Sequence, residues 1–113
     1  MDKSDRRQLV HDYKERKTAA GIYALRCAAA DAVWVGVSRN IDAQANSVQF
    51  VLRMGSHPNR EIQAALRTHG GEAFVYEALE RIDEPDLTPL GLADLLKRRE
   101  RHWIEALGGR RLA

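Results

Sequence analysis

The chain is short of several things, and each shortage excludes a class of protein. It has one cysteine, Cys27, in 113 residues, so it has no intramolecular disulfide framework and no multi-cysteine zinc site. A lone thiol fits a reducing compartment, and a cytoplasmic location is expected. No apolar run approaches the roughly 20 residues needed to span a bilayer. The opening stretch MDKSDRRQLV has basic residues but no apolar core, so no signal peptide is expected. Proline is scarce at three, and neither a repeat nor a low-complexity tract breaks the chain. Charge of one sign is also lacking: 18 Lys/Arg against 16 Asp/Glu gives a net charge of +2, a weak global attraction for a polyanion. A length of 113 residues is enough for one self-sufficient core.

The charge is unevenly placed. Residues 97–113 hold six basic and two acidic groups, whereas residues 18–96 hold six basic and ten acidic. The cluster Lys97, Arg98, Arg99, Arg101, Arg110 and Arg111 could hold a polyanion, or could be a solvated face that complements a helix dipole.

Periodicity predicts the elements. Residues 4–17 read as a short N-terminal helix with Leu9, Val10 and Tyr13 on its apolar side. Residues 21–28 and 32–38 read as an antiparallel hairpin, with Ile22, Ala24 and Arg26 on one side of the first strand and Tyr23, Leu25 and Cys27 on the other. Ser38 or Asn40 can cap a helix running to Met54, with a stripe of Ile41, Ala45, Val48 and Leu52 and Gly55 as its stop. Pro58 can open a second helix that buries Ile62, Ala65 and Leu66 and ends at Gly70-Gly71. Residues 73–82 fit a third strand with imperfect alternation: Phe74, Tyr76 and Ala78 against Val75, Glu77 and Leu79. Residues 91–107 form a helix with Leu92, Leu95, Leu96, Trp103 and Leu107 on one side. A hairpin with segregated helices implies an α+β domain with a small antiparallel sheet. The expected organisation is an N-terminal helix and linker (1–19), a folded domain (20–108) and a basic tail (109–113).

The residues that could carry chemistry begin in the hairpin. Gly21-Ile22-Tyr23 is followed, after ten intervening residues, by Trp34-Val35-Gly36. This resembles the GIY-YIG nuclease family, whose two tripeptides lie on paired strands at that spacing. Ser38-Arg39-Asn40-Ile41 opening a helix, His57-Pro58-Asn59 before another, the strand after Gly70, and Glu100 three residues before Trp103-Ile104 extend the resemblance over about residues 20–107. It implies a three-stranded antiparallel sheet flanked by helices. It also implies hydrolysis of nucleic-acid phosphodiester bonds, of DNA rather than RNA, with one Mg²⁺ or Mn²⁺.

By the resemblance, Tyr23 lies beside the attacking water and Glu100 holds the metal. A free phenol has a pKa near 10, so Tyr23 as a base needs a nearby cation. Its bland alternative is a half-buried strand tyrosine. Glu100 sits four residues from both Leu96 and Ile104, beside the apolar stripe of its helix, where a carboxylate needs a partner. That partner is a hard cation or a neighbouring arginine such as Arg99.

Two positions depart from the family. Trp34 stands where the family has tyrosine; an indole can donate a hydrogen bond but cannot act as a base, and it can equally fill core volume. Gln44 stands where the family has the arginine that holds the phosphate; an amide donates but carries no charge. Arg39 and Arg53 are the candidate replacements, at a poor spacing, and His57 is a candidate auxiliary contact to nucleic acid. The family's asparagine after the closing helix has no counterpart in LGGRRLA, and no DNA-recognition domain follows, so binding alone, as an oligomer or with a partner protein is expected. Two readings follow: a metal-dependent endonuclease weakened at Gln44, or a non-catalytic descendant that binds nucleic acid or protein.

Overall fold

The computed structural model describes residues 19–84 and 86–113. The helix expected over residues 4–17 lies outside that range. Strands β1 (Ala20–Cys27) and β2 (Ala32–Ser38) form the hairpin. Helices α1 (Ile41–Met54) and α2 (Arg60–His69) follow, then β3 (Phe74–Ile82), α3 (Pro89–Leu107) and a two-residue β4 (Arg110–Arg111). The sheet order is β3-β1-β2-β4. β1 is antiparallel to both neighbours, and β4 runs parallel to β2. The predicted α+β fold is thus present with one more strand than the expected three. The extra strand comes from the segment read as a basic tail.

β1 is central and buried almost throughout. As predicted, Tyr23, Leu25 and Cys27 face one way. They pack with Trp34, Ile41, Val48, Leu52, Ile62, Leu66 and Phe74 under α1 and α2. Ile22 faces the other way and packs with Val35, Ile82 and Leu96 under α3. The sheet is therefore covered on both faces, which explains the near-continuous apolar run of β1.

The imperfect alternation of β3 has a cause. Ile22 pairs with Glu80 but Tyr23 pairs with Ala78, so Leu79 is an extra residue and the strand bulges there. A one-residue slip exchanges the faces. Phe74 and Tyr76 join the α1/α2 side, while Ile82 joins the α3 side and Glu80 reaches α3 residues.

The caps differ in detail from expectation. Asn40 precedes α1 without a side-chain cap bond; the Ile41 amide is instead bound by the Ala19 carbonyl at 2.8 Å, which ties the helix start to β1. Gly55 ends α1 in the left-handed region (φ 70°), where glycine has no Cβ penalty. Asn59, not Pro58, caps α2 by accepting from the Ile62 amide at 3.0 Å. Thr88 caps α3, and Pro89 fills its first helical position, two residues earlier than expected. Among the described residues, no helix is long and apolar enough to cross a membrane.

Candidate active site

Two glycines of the hairpin tripeptides are sterically required. A Cβ on Gly21 would come within 2.4 Å of the Glu80 carbonyl oxygen and 2.8 Å of Ile41. A Cβ on Gly36 would meet the Tyr23 ring at 2.6–2.8 Å, the hydroxyl included. Tyr23 and Gly36 are direct cross-strand partners. The ring of Tyr23 therefore lies flat over the Gly36 backbone, and its hydroxyl is carried toward β2. The spacing of the two tripeptides is thus the register of a hairpin that lets one side chain cross the other strand.

Tyr23 is 5% exposed, and its other flank meets Tyr76 of β3, with ring centroids 5.5 Å apart. Burial, then Tyr76, then the nearby negative charge of Glu100 push the Tyr23 hydroxyl up to about 12. The phenol is consequently neutral at ordinary pH and acts as a hydrogen-bond donor or acceptor, not as a standing base. Glu100, from α3, thus bears electrostatically on the Tyr23 hydroxyl. The Glu100 side chain is 10% exposed. Its one ion pair among the described residues is with Arg111 of β4, at 3.5 Å.

The arginine expected to compete for Glu100 does not do so. Arg99 binds Glu80, its Nε donating at 2.8 Å, and the Trp103 indole donates to the same oxygen at 2.9 Å. Burial works to raise the Glu80 pKa, but these two hydrogen bonds and the positive charge of Arg99 outweigh it and hold the carboxyl below its ordinary value.

Gln44, on the first turns of α1, is half-buried, and its Oε1 accepts from the Ser38 hydroxyl at 2.8 Å. Ser38 is buried two residues beyond Gly36, and its oxygen also accepts from the Asn40 amide at 3.1 Å. Gln44 is therefore locked to the end of β2 next to the site, with its amide nitrogen unpaired among the described residues. Arg39 is exposed in the turn between β2 and α1, three residues past Gly36.

Three expected site residues lie elsewhere. Trp34 is 1% exposed and stacks on Phe74 (centroids 6.0 Å apart), its indole N–H unpaired in the core. It offers nothing to a substrate; the core volume it fills is its role. Arg53 ends α1 beside an open pocket shared with Leu52, Gly71 and Phe74. Phe74 pairs with Cys27, at the far end of β1 from Gly21. His57 serves the α1–α2 turn: its Nδ1 accepts from the Asn59 amide at 2.9 Å, and burial lowers its pKa.

Sequence reasoning missed three residues around Tyr23 and Glu100. Tyr76 was hidden because any apolar strand position can take a tyrosine. Ser38 was read only as a cap. Arg111 was read within a basic cluster that could hold a polyanion, but its place beside Glu100 was missed, because a two-residue strand has no periodicity to detect.

The implied metal can be tested against the donor set. Among the described residues no group of three or more His, Cys, Asp or Glu is gathered as a cation cage. A single poorly exposed carboxylate held by one arginine at 3.5 Å does fit Mg²⁺ or Mn²⁺. Mg²⁺ is commonly bound by one or two carboxylates, waters and substrate phosphates and does not need an all-protein cage. Glu100 is the residue that would hold it.

A hairpin with crossing tyrosine, a following helix pair and a closing helix with a glutamate define the GIY-YIG nuclease-like fold. Solved structures agree. The chain superposes on the catalytic domain of the intron endonuclease I-TevI, in a glutamate-to-alanine mutant, with TM-score 0.62 and 25% identity over 84% of this chain and 94% of that one. A second structure, of the catalytic domain of homing endonuclease I-TevI, gives TM-score 0.61 and 26% identity over 83% of this chain and 98% of that one. No family model and no curated protein matches the chain. The fold supports a nuclease-like function.

Proposed function

We propose that this domain is a divalent-metal-dependent endonuclease that hydrolyses phosphodiester bonds of nucleic acid, DNA in preference to RNA. What supports the reading is the Tyr23 ring laid over Gly36, with the charge of Glu100 from α3 bearing on its hydroxyl, in a fold similar to that of a nuclease catalytic domain. Glu100 holds Mg²⁺ or Mn²⁺, which when bound supplies positive charge to the phosphate and lowers the pKa of bound water. Tyr23 orients the attacking water by a hydrogen bond, its phenol being neutral without a cation beside it. Gln44 donates its free amide hydrogens toward the phosphate. The missing charge at position 44 predicts a slow enzyme: one preorganised donor is worth about 10²–10³ in rate.

The test is cleavage of single-stranded, duplex and branched DNA and RNA with Mg²⁺, Mn²⁺ or EDTA. Metal-dependent cutting abolished by Glu100→Ala and depressed by Tyr23→Phe is the expected result. No cutting of any substrate by folded protein would overturn it and favour the non-catalytic binding module, a reading supported by Gln44 and by the modest net charge of +2.

A further inference from the structure

A buried carboxylate beside a phenol presents negative charge to an approaching phosphodiester, and the two like charges repel. The site needs a cation of its own near Glu100. Gln44 supplies none. Of the eleven arginines among the described residues, five are engaged by other carboxylates, and Arg39, Arg53, Arg60, Arg67 and Arg101 form no ion pair with Glu100. Arg26 pairs with Glu77, Arg81 with Asp42 and Asp83, Arg98 with Asp94, Arg99 with Glu80 and Arg110 with Glu61.

Arg111 is different. Its backbone is firmly placed: it pairs with Val35, the neighbour of Gly36. The next residue, Leu112, donates its amide to the Val35 carbonyl at 2.9 Å and accepts from Asn59 Nδ2 at 2.6 Å. Alternation along β4 sends Arg110 to Glu61 on α2 and Arg111 to Glu100 on α3. The guanidinium itself is loosely used. It approaches Glu100 through Nε at 3.5 Å, too long for a good hydrogen bond, and its side chain is 64% exposed. The fork of its two terminal nitrogens makes no hydrogen bond among the described residues.

We infer that Arg111 is the phosphate-holding cation of this site, entering from the C-terminal strand and presenting its free fork to the phosphodiester at Glu100. An arginine fork suits a phosphate because two parallel N–H donors meet two oxygens. The inference rests on the nuclease reading for the location of the substrate, and its test separates the two.

The probe is a short fluorescent duplex DNA in EDTA, with binding to the full chain followed by anisotropy between about 50 and 200 mM salt. Arg111→Ala is expected to weaken binding several-fold and to reduce the slope of log K against log salt by about 0.9, the loss of one phosphate contact. Arg111→Lys keeps the slope, since charge remains, but loses cleavage rate, since the fork is gone. Arg98→Ala, an exposed arginine paired within α3, leaves the slope unchanged. Thermal melting of each variant shows that it is folded. An unchanged slope in Arg111→Ala overturns the inference and leaves Arg111 as a counter-ion of Glu100. Failure of the wild-type chain to bind the duplex overturns it also. Binding that depends on Arg111 without cutting under Mg²⁺ or Mn²⁺ sinks the nuclease reading alone; cutting indifferent to Arg111 sinks this one alone.

Discussion

Two carboxylates meet at α3, Glu80 packed against it and Glu100 carried on it, and they are held in opposite ways. Glu80, on the bulged strand β3, accepts from Arg99 and Trp103 at 2.8 and 2.9 Å and is held below its ordinary pKa. Glu100, one residue along the helix from Arg99 and more deeply buried, has a single contact with Arg111 at 3.5 Å. The first is a closed pair that fastens β3 to α3. The second is a carboxylate whose coordination is incomplete within the protein. Burial alone does not mark a functional acid; burial without full hydrogen bonding does, because the desolvation cost is left to be offset by a ligand.

That contrast can be broken by substitution. Glu100→Gln should lower metal-dependent cleavage by about 10² or more, with the melting temperature little changed, whereas Glu80→Gln should leave the rate within about threefold. A comparable loss of rate from both would mean that the carboxylates do not differ in role. In chemical denaturation the order reverses. Glu80→Ala strands the Arg99 and Trp103 donors and should cost about 1–2 kcal/mol, a figure kept low because Glu80 and Arg99 are 28% and 34% exposed. Glu100→Ala should cost less than that.

Acidity sharpens the same point. The depressed pKa of Glu80 means that its contribution is present above the ordinary carboxyl value and is lost as pH falls through the folded one. Stability of the wild-type chain against urea should decline below about pH 4.5, and Glu80→Gln should flatten that limb. Alkali tests the other side of the site. Tyr23 in the fold holds its proton up to about 12 against an ordinary value of 10.0, so the native state binds more protons than the unfolded chain between those values. Stability should therefore fall from pH 10.0 to about 12, less steeply in Tyr23→Phe. The smallest effect is expected at Trp34. Trp34→Phe removes an unpaired buried N–H and should leave cleavage unaltered within about twofold, whatever it does to stability. A large, rate-specific loss there would return Trp34 to the site.

Much of this was legible in the residues. The two-residue period of β1, the 3.6-residue period of α1, α2 and α3, and the stops at Gly55 and Gly70 are local signals, and each of these elements was found within two residues of where they placed it. The choice of Tyr23 and Glu100 came from motif resemblance, and in the fold the charge of Glu100 bears on the Tyr23 hydroxyl. The misplaced readings share a cause. Trp34 and His57 were assigned by their place in the motif resemblance and Arg53 by distance along the chain, and neither says whether a side chain faces the core, the far end of a strand or its own turn. Trp34 and Tyr23 share a sheet face, yet one ring is swallowed by Phe74 and the other rides over a glycine.

The sequence alone determined the order of the main elements and the alternation of β1, because propensity and period act over a few residues. The tertiary structure decided which acid is closed and which is open. A one-residue bulge at Leu79 turned Glu80 onto Arg99, and a two-residue strand brought Arg111 to Glu100. Both depend on register between segments distant in the chain, and register is settled by the packing of whole faces, a quantity that no short stretch of residues contains.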